Sequence, residues 1–163
     1  GRMKDPFRVL FVCLGNICRS PAAEAVMRHL VEQVGLSEQV QIDSAGTAGW
    51  HEGKLPDERM RGAGKSRGYQ LNSRARQLKR ADLSDFDLVL MMDESNLRDS
   101  RTLDPEGQHK AKVRLLCEFC TQHDAREVPD PYYGGPEGFE KVLDLLEDGC
   151  AGVLAEIKAR AAE

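Results

Sequence analysis

The chain lacks several things, and each absence removes a class of function. No apolar run in its 163 residues approaches membrane-spanning length, which excludes insertion of a helix into a bilayer. It has no basic excess: 23 Lys and Arg against 27 Asp and Glu leave a formal net charge of −4. With a pI near 5.6, there is no electrostatic footprint for nucleic acid. Five cysteines make an odd set, with no signal peptide ahead of Val9 to suggest a secreted disulfide framework. Repeats, low-complexity tracts and linkers are absent too, so the length suits one domain with one substantial core. Gly1-Arg2 ahead of Met3 reads as an expression remnant, and the domain is taken as 3–163.

What is there concentrates near the start. Val9-Leu10-Phe11-Val12 reads as a buried strand. Ser20-Pro21 reads as the N-cap and first residue of a helix, followed by Ala23, Val26, Met27, Leu30 and Val34 at helical spacing. The loop between them opens with Cys13 and closes with Arg19, with five residues between. Loop amides and a helix N-terminus aimed at one spot favour an anion. Arg19 adds a planar fork suited to two phosphate oxygens. Cys13 would lie beneath that anion, where the positive field favours its thiolate. The plain alternative makes Cys13 a small core residue and Arg19 a solvated charge. An arginine in a first helical turn, however, opposes the dipole unless an anion answers it. The stretch predicts phosphoryl transfer.

Further along, Val40-Gln41-Ile42 predicts a second strand ending at Asp43-Ser44, joined to the first by a right-handed crossover. Residues 45–56 read as a loop, 57–66 as a helix and 78–83 as a short helix. Phe86 to Met92, nearly all apolar, reads as a buried parallel strand. Glu94 to Leu103 reads as a helix, and Lys112 to Leu116 as an edge strand. Phe139, Val142, Leu143, Leu146, Cys150, Val153, Leu154 and Ile157 form one apolar stripe on a C-terminal helix. The class is α/β: one domain with a four-stranded parallel sheet flanked by helices.

Asp130 opens Asp-Pro-Tyr-Tyr-Gly-Gly, a segment stiffened by Pro129 and Pro131. Composition leaves it either a turn aspartate or a general acid. Leu14, Ile17 and Trp50 would line a slit that a flat phenyl ring can fill. Cys117-Glu118-Phe119-Cys120 has no second pair at ligand spacing, so it is a weak zinc signal. Those two cysteines and Cys150 read as structural.

Cys13-Leu14-Gly15-Asn16-Ile17-Cys18-Arg19-Ser20-Pro21 resembles the signature of the low-molecular-weight protein tyrosine phosphatases. Asp43-Ser44-Ala45-Gly46-Thr47, Met92-Asp93-Glu94-Ser95-Asn96-Leu97 and Asp130-Pro131-Tyr132-Tyr133-Gly134-Gly135 resemble three further blocks of that family. The resemblance implies a cytoplasmic phosphatase working through a cysteinyl-phosphate, with no cofactor and no metal. Its partners would be phosphotyrosine-bearing proteins as substrates and inorganic phosphate as product and competing ligand. Cys13 would be the nucleophile, Arg19 the phosphate binder and Asp130 the general acid. Leu14, Gly15, Asn16, Ile17, Cys18 and Ser20 would complete the phosphate loop, with Ser44 and Asp93 supporting it. Tyr132 and Tyr133 would form one wall of the slit beside Trp50, and are candidates for phosphorylation. Cys18 lies on a loop curled around one anion, within possible disulfide reach of Cys13. The resemblance likewise implies a redox role for it. Ile17 favours phosphotyrosine, since the related protein-arginine phosphatases carry threonine there. One departure stands out: Ser73 occupies the place of a histidine usual in the loop-supporting network. An arsenate reductase on the same scaffold, using Cys117 or Cys120, and a non-catalytic phosphopeptide-binding module are the competing expectations.

Overall fold

Strand β1 (Phe7–Cys13) runs between β2 (Val40–Gly46) and β3 (Leu88–Met91), parallel to both. Strand β4 (Val113–Leu115) lies beyond β3, giving a four-stranded parallel sheet of order β2-β1-β3-β4. The structure is a computed structural model and describes residues 5–163; the expected domain start at Met3 and the remnant Gly1-Arg2 lie outside the described residues.

Successive side chains of a strand face opposite ways, and in β1 both ways lead into core. Val9, Phe11 and Cys13 pack with α1 (Arg19–Gln33) and α5 (Pro136–Ala161), while Leu10 and Val12 pack with Leu83, Val89 and Met91. Val9, Leu10, Phe11 and Val12 are completely buried, each stabilising the sheet by roughly 1.5–3 kcal/mol. That two-sided burial is why the sequence there is unbroken apolar rather than alternating. All eight residues of the C-terminal stripe are buried on α5.

Several boundaries differ from the sequence expectation, three of them for clear local reasons. Helix α1 begins at Arg19, with Cys18 as its N-cap and no side-chain capping bond, so Ser20 is not the cap. Its hydroxyl is engaged by Asn16 and Cys13 instead. Leu78 stays extended because its N–H donates to the Gly46 carbonyl at 2.7 Å, which delays α3 to Arg80–Asp85. Phe86 caps the end of α3, under the Arg8 guanidinium, rather than opening β3. The helices α2 (Glu58–Ser66) and α4 (Glu94–Arg101) fall where expected, with Asp57 and Asp93 as their N-caps. A 3₁₀ turn at Leu116–Phe119, not read from sequence, packs on α5. Gly152 admits it: a Cβ there would overlap the Phe119 carbonyl.

The strands' C-terminal edge is where open parallel sheets present their ligands. Cys13 ends β1, Gly46 ends β2 opposite it, and Asp93 follows β3. No helix among the described residues is long and apolar enough to cross a membrane.

Candidate active site

The loop from Cys13 to Arg19 folds back over the sulfur. The Cys13 Sγ lies 3.0 Å from the Ser20 Oγ and accepts from the Asn16 N–H at 3.3 Å. Asn16 has a φ of 56°, the one left-handed non-glycine residue among those described. That conformation is costly for most side chains and is held by its surroundings. The Asn16 Nδ2 donates to Ser20 Oγ at 2.7 Å and Ser44 Oγ at 3.0 Å, while its Oδ1 accepts from the Arg76 N–H. Ser44 Oγ then donates to buried Glu24 at 2.6 Å. Arg28 pairs with the same carboxylate. The network is thus closed by Glu24 and the Arg76 backbone; Ser73 contributes no hydrogen bond to it. Gly46 lets the loop lie this close, because a Cβ there would sit 2.8 Å from the Leu14 carbonyl oxygen.

Among the described residues, the N–H groups of Leu14, Gly15, Ile17, Cys18 and Arg19 donate to nothing within the protein. They are the orphan donors of a loop running into a helix start, an arrangement suited to an anion. Arg19 is 2% exposed. Its Nη1 donates to Asp93 Oδ2 at 2.7 Å and to the Val128 carbonyl at 2.9 Å. Its Nη2 lies 3.8 Å from Asp130 Oδ2. Burial works against the guanidinium charge, but Cys13, Asp93 and Asp130 outweigh it and hold the arginine above its ordinary pKa. Asp93 is fixed in turn, its other oxygen capping α4 through the Asn96 N–H.

These groups open into a cleft of about 240 Å³, smaller than the roughly 300–1,000 Å³ of pockets for drug-sized ligands. Cys13, Cys18 and Arg19 line its floor; Leu14, Ile17, Trp50, His51 and Tyr132 line its walls, with Tyr133 at the lip and Asp130 beside the arginine. Trp50 is 71% exposed and Tyr133 93% exposed, so both face solvent at the cleft mouth. The two tyrosine rings meet edge to face at 5.0 Å.

A family model described as low molecular weight phosphotyrosine protein phosphatase matches residues 8–163. The chain belongs to this family. It is 50% identical over 150 residues to a putative low molecular weight protein-tyrosine-phosphatase of Synechocystis, covering 92% of this chain and 96% of that one. The Homo sapiens low molecular weight phosphotyrosine protein phosphatase is 47% identical over 147 residues, 90% of this chain and 92% of its own. A crystal structure of a protein tyrosine phosphatase from Entamoeba histolytica, with Hepes in its active site, superposes with a TM-score of 0.91 at 47% identity. It covers 94% of this chain and 97% of that chain.

Every candidate phosphatase residue named from sequence falls in the cleft or in the shell supporting it. The remaining cysteines do not line the cleft. Cys117 and Cys120 lie beside each other at the 3₁₀ turn, where burial and Cys117 push the Cys120 thiol up to about 12. Cys150 is buried and points at the Ala23 carbonyl of α1. A thiol relay from Cys13 to Cys117 or Cys120, as an arsenate reductase needs, therefore has no partner in the cleft. Sequence reasoning missed Glu24, Gly46, His51, Val128 and the Asp57–Arg59 pair. Glu24 carried a readable signal, an acidic residue inside the buried stripe of α1.

Proposed function

We propose that this phosphatase hydrolyses phosphotyrosine through a covalent cysteinyl-phosphate. The observation that carries the reading is the convergence of Cys13, Arg19 and Asp130 on one cleft. The Cys13 thiolate attacks phosphorus as the bond to the phenolic oxygen breaks, and the Asp130 carboxyl gives that oxygen its proton. Asp130, now a carboxylate, takes a proton from water; the hydroxide attacks phosphorus, the S–P bond breaks, and phosphate leaves. Arg19 spends Nη1 on Asp93 and Val128, which leaves its Nε–Nη2 edge for two phosphate oxygens, alongside the free loop amides. Product phosphate uses the same donors and so competes with substrate. Apolar Leu14 and Ile17 with aromatic Trp50 and Tyr132 form walls on which a phenyl ring can pack. Five free cysteines suit a reducing compartment, and the cytoplasm is the proposed location.

Changing Asp130 to asparagine tests the acid role. For phosphotyrosine, whose phenolate needs the proton, kcat/KM is expected to fall by roughly 10²–10⁴-fold. Nitro-substituted phenyl phosphates, whose leaving groups depart as anions, should lose far less. Equal losses across the series would return Asp130 to a turn residue.

Cys18 is proposed as the redox partner of Cys13, whose cleft it shares. Burial, with Asp57 and Cys13 beside it, pushes the Cys18 thiol well above the ordinary range, so Cys13 is the sulfur that peroxide meets as a nucleophile. Peroxide converts the Cys13 thiolate to a sulfenic acid, and the Cys18 thiol condenses with it, releasing water and forming a disulfide. Peroxide-inactivated wild type should regain activity on adding thiol, whereas Cys18→Ser should remain largely inactive. Full recovery of that variant, with no Cys13–Cys18 link by mass spectrometry, would leave Cys18 a packing residue.

A further inference from the structure

Asp130 sits on a segment whose two ends are held very differently. Upstream, the buried Val128 is pinned through both backbone groups: its N–H donates to the Met92 carbonyl at 2.8 Å, and its carbonyl accepts from Arg19. Downstream, Tyr132 and Tyr133 are exposed. Among the described residues, one hydrogen bond reaches residues 131–134 from outside the segment, and Arg59 donates it. Its Nη1 lies 3.0 Å from the Tyr132 carbonyl oxygen. The guanidinium also stacks over the Tyr132 ring at 5.1 Å and the Phe139 ring at 4.8 Å.

Arg59 is itself aimed by Asp57. The two form a fork-to-fork pair, Nε to Oδ1 at 3.1 Å and Nη2 to Oδ2 at 2.9 Å. Asp57 is anchored by capping α2 and by donating its own N–H to the Ile17 carbonyl of the phosphate loop at 2.7 Å. On the other side, the Tyr132 N–H donates to Asp130 Oδ1 at 3.0 Å. A continuous chain of contacts thus runs Ile17, Asp57, Arg59, Tyr132, Asp130, from the loop that holds the phosphate to the carboxyl that holds the proton. Arg59 does not line the cleft.

We propose that Arg59 is a positioning residue for proton transfer, tying the Asp130 segment to the phosphate loop so that the carboxyl stays at the leaving-group oxygen. The arginine has three tasks at once: a bidentate carboxylate pair, a carbonyl contact and a flat stack on two rings. A lysine performs at most one of them. Proton transfer depends on hydrogen-bond reach, and a misplacement of about 1 Å costs up to about 10²-fold in rate.

This inference rests on the phosphatase reading with Asp130 as acid, and the experiment separates the two. Arg59→Leu, Asp130→Asn and the double variant are compared by kcat/KM over aryl phosphates of graded leaving-group strength. Arg59→Leu is expected to lose about 10- to 100-fold on phosphotyrosine and under about threefold on a dinitrophenyl phosphate. Added to Asp130→Asn, it should cost less than about twofold more, because the acid it positions is already gone. Asp57→Asn, which keeps a capping oxygen for α2 but not the charge that aims Arg59, should give the same steepened series if Arg59→Leu does not fold. Uniform loss across the series, or losses that multiply in the double variant, would overturn the assignment. A flat series for Asp130→Asn alone would instead overturn the acid reading beneath it.

Discussion

Cys13→Ser protein is expected to bind phosphate much as wild type does and to hydrolyse no aryl phosphate measurably. The two halves of that result come from different atoms. On the proposed mechanism binding rests on the free amides of the loop and on Arg19, none of which the substitution touches. The loop should keep its shape, since a serine oxygen can take the place of sulfur beside Ser20 Oγ and under the Asn16 N–H. Asn16, which carries the left-handed backbone, is held mainly by Ser20, Ser44 and Arg76 rather than by the sulfur. On the proposed mechanism the chemistry rests on a thiolate, and a serine hydroxyl at neutral pH is not ionised. Removing the nucleophile of other covalent enzymes costs on the order of 10⁶-fold in kcat, so a loss beyond 10⁴-fold is expected here. Trp50, the chain's one tryptophan, stands at the cleft mouth, so its fluorescence is the label-free signal expected to report phosphate binding. Acid-quenched wild type should carry a phosphoryl group on Cys13, and the variant none. Residual turnover within about 100-fold of wild type would place the nucleophile elsewhere.

The parts legible in the sequence are those in which function is written over a short span. Cys13 and Arg19 belong to one turn between one strand and one helix, so their meeting follows from local geometry alone. The apolar run of β1 and the stripe of α5 were legible because burial on two faces and on one face leave different periodicities. Asp130 is a different case. Its segment looks like any Pro-stiffened turn until the fold brings it within 3.8 Å of Arg19, and only the resemblance to a known family gave it a role from sequence.

What stayed illegible is nonlocal. Gly46 reads as a loop glycine, yet it ends β2 and is needed because the loop after Cys13 crosses directly above it. Glu24 stands out locally as an acid among the buried residues of α1, yet nothing local says that it closes the network that fixes Asn16. The Ser20 error has a different origin, inside the loop itself. Serine before proline is a strong capping pattern, but here the hydroxyl has been recruited to the sulfur and the helix starts uncapped. That leaves its first amides free, which is what an anion site requires. Ser73 stands where the resemblance leads one to expect a histidine in that network. Glu24, bonded directly to Ser44 at 2.6 Å, still ties that network to a buried carboxylate.

Arg19→Lys is expected to cost about 10³-fold in kcat/KM on phosphotyrosine, although charge is conserved. The guanidinium serves two sets of partners at once. Nη1 is committed to Asp93 and to the Val128 carbonyl, and the opposite edge is what remains for the phosphate. A lysine has one nitrogen. If it reaches the phosphate, the fully buried Val128 loses its hydrogen-bond donor, a cost of roughly 1–3 kcal/mol, and Asp93 loses its cation. If it stays with Asp93 and Val128, the phosphate loses both donors of the fork; one such transition-state donor is typically worth about 10²–10³-fold. The two outcomes are separable. The first lowers the melting temperature and frees the upstream end of the Asp130 segment, which steepens the leaving-group dependence of kcat/KM. The second keeps stability and the slope, and weakens phosphate binding along with catalysis. Either leaves the enzyme severely impaired, and activity within about tenfold of wild type would mean that Arg19 is not the residue that holds the transferring phosphoryl group.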